Sequence, residues 1–350
     1  MSKSQTKIDF FYKTNLSNKQ YEIKRYFYLI WENNYRPNLQ AYWTNDKPDK
    51  INFIEHINCN YIKKGYYFYI CGYFPDIGEK EYYLTKEKTY SNIPYLKSHL
   101  QKCIRQQDDN LAIPTCYHLI KLALQELLRR LPIIMLEDVS LHESFTTLIW
   151  LMLAKSNCKN FRFKKNIYEW LLGTIYVLCK INEKDILYDE INVDSIIDNI
   201  PVYEILDSYK DLEENELSIL YCLHIRMAYG GMDCDIKMLK SFSKIFEDRF
   251  RLKKSNINNM LVRPISIFVK ELEISDWNIS AIDYHCNQKI LEFINKKYDD
   301  ISIDEIKKMI WYNSSSINNR IENDKYDIKS WNRIKDYVYK SQKYLLESGY

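Results

Sequence analysis

Ser91-Asn92-Ile93-Pro94-Tyr95-Leu96-Lys97-Ser98-His99-Leu100-Gln101-Lys102-Cys103-Ile104-Arg105 is where the chain changes its hydrophobic period. Leu96, Leu100 and Cys103–Ile104 recur at helical spacing and form one face, Ser91 is placed to cap, and Pro94 suits a first turn. Upstream the pattern is different. Tyr66-Tyr67-Phe68-Tyr69-Ile70-Cys71-Gly72-Tyr73-Phe74 is rich in aromatic and β-branched residues and is stopped by Pro75-Asp76-Ile77-Gly78, as a strand would be. Glu81-Tyr82-Tyr83-Leu84-Thr85 is expected to pair back on it as a hairpin with a longer loop.

Downstream of Ser91 the helical period persists. Runs are expected over 110–130, ending at Pro132, and over about 143–156, 166–181, 214–229, 233–250, 285–298, 304–313 and 330–347. Gly230-Gly231 reads as a stop between two of them, and Asn313 to Asn319 as a polar loop. No fixed-period repeat is found. The expected fold class is mainly α: a multi-helix C-terminal domain over 91–350 with a small basic α+β region, a Tyr-rich β-hairpin included, over 18–90. Residues 18–34 are read as a helix within that region, and 1–17 as a flexible tail.

Composition agrees. Of 350 residues 46% are apolar, enough for a large core, and Gly (7) and Pro (8) are scarce, which favours helices over Gly-rich loops. The abundance of Asn, Ile, Lys and Tyr carries the imprint of AT-rich coding, a compositional hint of a protist or a large DNA virus. Net charge is only +3, but residues 1–107 hold 17 Lys and Arg against 10 Asp and Glu, a net +7, and the remainder is net −4. The basic part is interleaved with aromatics, as in Tyr61-Ile62-Lys63-Lys64-Gly65-Tyr66, a combination that neutralises phosphates and stacks bases. Its plainer reading is a Tyr-rich strand pair with solvated lysines.

Nine cysteines lie scattered, with no CxxC and no His at finger-like spacing, so no structural zinc is expected. The amino terminus is polar and charged, unlike a secretory signal, and no apolar run reaches the 18–20 residues of a membrane span. A reducing compartment is expected, nucleus or cytoplasm, or a viral replication site for a viral chain, with no membrane partner.

Motifs for chemistry are few. There is no GxxxxGK[ST], GxGxxG, GxSxG or HExxH, so no nucleotide cofactor and no catalytic residue is assigned. Two carboxylate–histidine clusters, Glu137-Asp138…His142-Glu143 and Asp276…Asp283-Tyr284-His285, are metal-holding in principle. Their plainer reading is helix-dipole and ion-pair work. Arg129-Arg130 sits between leucines, so one arginine is expected to pair with Glu137 or Asp138 and the other to meet solvent or phosphate. A metal-dependent, nuclease-like enzyme requires Glu137, Asp138, His142, Asp283 and His285 to converge on one cleft.

The remaining signal is Gln5-Thr6-Lys7-Ile8-Asp9-Phe10-Phe11-Tyr12. It resembles the PIP box, the peptide with which replication and repair proteins dock on the sliding clamp PCNA. In a single 3₁₀ turn Ile8 and Phe11 project together and Tyr12 completes an apolar plug, while Gln5 hydrogen-bonds at the rim. Gln20 to Phe27 fits the same pattern, but there Ile23, Phe27 and Ile30 have helical spacing and read as a helix face. A second resemblance lies in residues 98–154. Lys102-Cys103-Ile104-Arg105, Asp108, Leu111-Ala112, Arg129-Arg130-Leu131 and Glu137-Asp138-Val139 look like the helical region that follows the ATPase core in RarA/MgsA/WRNIP-type ATPases. It covers under a fifth of the chain, without the motor, and Pro114 and Pro132 depart from the pattern. It implies a collar-like, homo-oligomerising or DNA-fork module. The reading that joins these is a non-ATPase accessory factor of DNA replication or repair, more scaffold than enzyme. It would hold PCNA through Gln5, Ile8, Phe11 and Tyr12, and contact DNA through Lys63, Lys64, Tyr66, Arg105, Arg129 and Arg130. The alternatives are the metal-dependent DNA-processing enzyme and a helical interaction scaffold unrelated to DNA.

Overall fold

The computed structural model describes residues 23–32, 38–57, 66–74, 92–185, 209, 211–254, 257–267, 272–273 and 276–348. Among them are four strands, β1 Ile23–Glu32, β2 Asn38–Thr44, β3 Phe53–Ile57 and β4 Tyr66–Tyr73. Nine α-helices follow: α1 Ile93–Arg105, α2 Asp109–Asp138, α3 Ser144–Asn157, α4 Lys165–Lys180, α5 Glu214–Ala228, α6 Asp233–Arg251, α7 Lys289–Lys297, α8 Ile303–Ile310 and α9 Ile328–Glu347. The fold is mainly α with a small N-terminal sheet region.

The organising element is α3. Every residue from Ser144 to Ala154 is buried, so the helix is apolar on all sides, as a helix enclosed by other elements must be. It packs on α2, on α5 and on the inner face of the sheet. The sheet order is β2-β1-β4-β3; β1 pairs antiparallel with β2 and parallel with β4, and β3 pairs antiparallel with β4. Trp150 of α3, fully buried, donates its indole N–H to the carbonyls of Phe27 (2.9 Å) and Cys71 (3.2 Å). Around its ring stand Phe53, Phe74 and Phe161. One apolar cluster runs from Phe27 of β1 to Leu346 of α9, so the sheet shares its core with the helices.

Edge strands invite pairing with other chains unless their outer groups are occupied. On β2 they are: Ala41 donates to Thr147 Oγ1 (3.1 Å), which in turn donates to Leu39 O, and Trp43 donates to Ser218 Oγ (2.9 Å). Thr147 and Ser218 belong to α3 and α5, whose hydroxyls complete the strand where a fifth strand would have lain.

Four local expectations are corrected. The residues read as a helix over 18–34 form β1 from Ile23 onward. This strand is central and buried on both faces, with Phe27, Leu29 and Trp31 inward and Tyr26 and Tyr28 outward. An apolar run without polar interruption fits a period of 3.6 as well as one of 2, and aromatic and β-branched content decides for the strand. β4 is likewise central; β1 and β3 occupy both its edges over Phe68–Gly72, so its partners are not the expected hairpin, and residues 81–85 lie outside the described ones. The α2 helix does not end at Pro132 but continues to Asp138, with its non-helical break at Ala123 (φ −153°, ψ 53°); burial of Leu127, Leu128 and Ile133 to Leu136 outweighs the hydrogen bond a proline removes. Of the polar loop expected over Asn313 to Asn319, the part from Asn313 to Ser315 belongs instead to a π turn, Trp311–Ser315, and Asn313, Ser314, Ser315 and Asn318 are buried. Asn92, whose side chain accepts from Tyr95 N, caps α1; Ser91 lies outside the described residues.

Candidate functional site

Two places concentrate chemistry: a polar seam inside the helical body and the outward face of the sheet. The seam is built on α1. Ser98, Lys102 and Arg105 fall at i, i+4 and i+7 and so share one face of the helix, with Gln101 beside them. Arg105 meets Asp138 at the end of α2 in a two-pronged pair, Nε to Oδ1 at 2.6 Å and one terminal nitrogen to Oδ2 at 3.1 Å, and its other nitrogen donates to Ser315 O. Such bidentate pairs are among the stronger hydrogen-bonded contacts, and removal of one partner strands the other charge in the interior. Lys102 donates to Ser98 Oγ (3.0 Å) and to Asp283 Oδ2 (2.8 Å). The other oxygen of Asp283 accepts from the backbone N–H of His285 (2.9 Å) and from its Nδ1 (3.2 Å). Burial alone would raise the Asp283 carboxyl, but His285 and Lys102 hold it well below the usual carboxylate range.

Gln101 donates to both Glu137 (3.0 Å) and Asp138 (2.8 Å) and accepts from Arg130 (2.7 Å). Arg130 reaches Glu137 at 3.5 Å and Asp235 of α6 at 3.4 Å. Burial and the neighbouring Asp138 raise the Glu137 carboxyl, against the pull of Arg105 and Arg130. Arg226 donates to the carbonyls of Arg129 and Gly230; burial, countered by Asp235 and reinforced by Arg129 and Arg130, lowers its guanidinium to about 10.

His142 stands apart from this seam, at the start of α3. Its Nε2 donates to Met260 O (2.8 Å), and its Nδ1 accepts from the Ser144 N–H (3.1 Å). The ring therefore caps a helix, and burial lowers its basicity. The five residues that the enzyme reading needs in one cleft are thus divided among an Arg–Asp pair, a Lys–Asp–His contact and a helix cap. Among the described residues no three His, Cys, Asp or Glu side chains gather so as to hold a metal ion.

The DNA-contact candidates separate in the same way. Arg105 is 5% exposed and committed to Asp138, which corrects its assignment to a phosphate surface. Arg130 is engaged by Gln101, Glu137 and Asp235, whereas Arg129 is a third exposed, lies over the Tyr229 ring and is 3.8 Å from Glu126. Tyr66 opens β4, and its side chain is outside the described ones. Lys63 and Lys64 lie outside the described residues, as do Gln5, Ile8, Phe11 and Tyr12.

The outward sheet face was legible only as tyrosine content. Register places Tyr69 between Tyr26 and His56, and Tyr28 between Tyr42 and Cys71. Tyr26 and Tyr69 stack at 5.3 Å, Tyr28 and Tyr42 meet edge-on at 5.6 Å, and His56 lies 5.4 Å from Tyr69 and 5.7 Å from Tyr67. Tyr28 donates its hydroxyl to Lys50 O in the β2–β3 connection, and burial beside Tyr42 pushes its phenol up to about 12. Burial also raises Cys71 to about 12, against the lowering influence of Lys47, whose charge therefore reaches the middle of this face. No helix among the described residues is long and apolar enough to cross a membrane. Comparison with protein-family models, with curated proteins and with solved structures gave no match to the chain.

Proposed function

We propose that this chain is a non-ATPase accessory factor of DNA replication or repair, tethered to the sliding clamp PCNA through Gln5, Ile8, Phe11 and Tyr12, with its helical body as scaffold and its basic, aromatic N-terminal region against DNA. The observation that carries the choice of scaffold over nuclease is the partition of Glu137, Asp138, His142, Asp283 and His285 into separate structural contacts. Asp138 and Asp283 each face a buried cation and His142 caps a helix, so the five side chains do not converge on one open cleft as metal-assisted hydrolysis requires. The PIP-box resemblance supplies the partner, and self-association of the helical body is part of the same proposal.

The test is binding of a peptide spanning residues 1–17 to PCNA, wild type against Phe11→Ala/Tyr12→Ala. Micromolar binding is expected, on the order of −8 kcal/mol, and the double variant should lose most of it. Equal binding by both peptides would remove the tether from the proposal.

A further inference from the structure

We propose that the connection from α3 to α4 is a contact surface for the phosphate backbone of duplex DNA, an inference that rests on the reading of the chain as a DNA-contacting factor and adds a second place for that contact. Lys155 to Glu169 holds five Lys and Arg against one Asp or Glu, a net +4 in a chain whose total is only +3. Lys165 lies 3.4 Å from Glu169, whereas Lys155, Lys159, Arg162 and Lys164 have no carboxylate partner among the described residues. Lys155, Lys159 and Arg162 are exposed and Lys164 is partly so. Inward anchors fix the segment. Cys158 and Phe161 are buried, and the Phe161 ring stands 5.1 Å from Phe53 of β3 and 5.3 Å from Phe74 just beyond β4. Arg162 donates to Lys159 O at 2.8 Å, and the Lys155 ammonium lies 5.9 Å from the Phe163 ring. The last turn of α3 and the approach to α4 therefore present their charges together, fixed before anything binds, against the end of the N-terminal sheet.

An ordinary solvated face intersperses both signs of charge; this one carries unanswered cations of one sign. Glu55 of β3, which lies against the Cys158 thiol, offsets one charge on the sheet side. The start of α4 adds to the positive potential. Lys164 at its N-cap makes no side-chain capping bond, and its first turn holds no acid. Helix starts favour Asp and Glu because the dipole is positive there, so two lysines at this end are a local cost that an anion in contact with them relieves. The chemistry of the patch also separates one polyanion from another. From Lys155 to Tyr168 no large apolar side chain is more than partly exposed, while peripheral binding to a bilayer buries an apolar face in addition to using cations. Without an exposed ring to stack on bases, the surface reads charge alone, and the duplex, with a phosphate charge for about every 1.7 Å of its axis, offers the densest array.

The experiment measures fluorescence anisotropy of the full chain with a labelled duplex of about 20 base pairs over roughly 50 to 200 mM salt. Four phosphate contacts give log K a slope of about −3.6 against log salt. Lys159→Ala and Arg162→Ala should each reduce that slope by about 1 and weaken binding about fivefold near 100 mM salt. Lys159→Glu/Arg162→Glu should abolish binding, whereas Lys340→Ala, equally exposed but on α9, should stay within about twofold. Circular dichroism checks that each variant is folded. Vesicles of phosphatidylserine and phosphatidylcholine form a second arm; vesicle binding in preference to the duplex overturns the choice of partner. A slope near zero overturns the phosphate contact. Duplex binding that Lys159→Glu/Arg162→Glu leaves intact overturns this surface alone and returns the DNA contact to the N-terminal region. No duplex binding at all overturns both, and the clamp peptide, measured separately, stands or falls by itself.

Discussion

Replacing Arg320 with alanine should destabilise the protein substantially, because this side chain closes three helix ends at once. Its Nε donates to Ile181 O at 2.8 Å, one terminal nitrogen to Ile104 O at 2.9 Å and more weakly to Arg105 O and Asp138 O, and the other to Leu178 O at 2.5 Å. These carbonyls belong to the C-terminal ends of α1, α2 and α4, where unpaired acceptors and the negative end of the helix dipole both favour a cation. Three short charge-assisted bonds at about 1.5–3 kcal/mol each bound the effect from above. The bound is reduced because Asn319 N also serves Arg105 O and Gln107 Nε2 also serves Ile181 O, and because burial lowers the Arg320 guanidinium. A loss of about 3–5 kcal/mol is expected, a large share of a typical domain's stability. Urea unfolding followed by circular dichroism measures it as a fall in midpoint at unchanged slope. Arg320→Lys should recover less than half, since one ammonium cannot reach carbonyls on three diverging helices. A loss below about 1 kcal/mol, or full rescue by lysine, would refute the reasoning.

Two further outcomes follow from the packing and the buried histidines. Gly173→Ala should cost about 3 kcal/mol or more, since a Cβ there would lie 2.1 Å from the Arg263 carbonyl oxygen, which is backbone and cannot rotate aside; thermal unfolding reads this, and a neutral substitution would contradict the close approach of α4 to that segment. Burial lowers His99 to about 3 and His224 to about 4, while both take an ordinary value near 6.5 once unfolded. Below about pH 6.5 the unfolded chain binds more protons than the folded one, so stability present at pH 7 is lost as pH falls, by about 2 kcal/mol for each histidine at pH 5. A urea midpoint unchanged between pH 7 and pH 5 would disprove it.

Helices were the most legible part of the chain because their apolar stripes survive averaging over several turns. The starts and stops of α3 to α6 fall within a residue or two of expectation, and Gly230, at φ 79°, ends α5 as a glycine there should. The β1 strand was illegible for the opposite reason: a segment buried on both faces has no stripe. In the polar seam, Lys102 and Arg105 sit on a helix that also carries Lys97, Ser98, His99 and Gln101, so nothing in the sequence marks these two as its buried cations. What sequence could not indicate is which carboxylates answer them, because Asp283 lies 181 residues from Lys102. Thr147 and Ser218 were silent altogether; each looks like an ordinary small polar residue within a helix until the β2 edge is placed against it.

The completion of β2 by those two hydroxyls also sets an order of events during synthesis. Ala41 waits for a partner 106 residues downstream and Trp43 for one 175 residues downstream, and the Trp150 indole that ties β1 to β4 arrives 123 residues after Phe27. The first strands to leave the ribosome therefore wait for helices made much later. Until α5 has emerged, β2 is an open edge that a chaperone or a second nascent chain can pair with, and contacts this distant in sequence close slowly. Substitutions at Thr147 or Ser218 would then reduce the yield of folded protein more than the stability of the molecules that do fold.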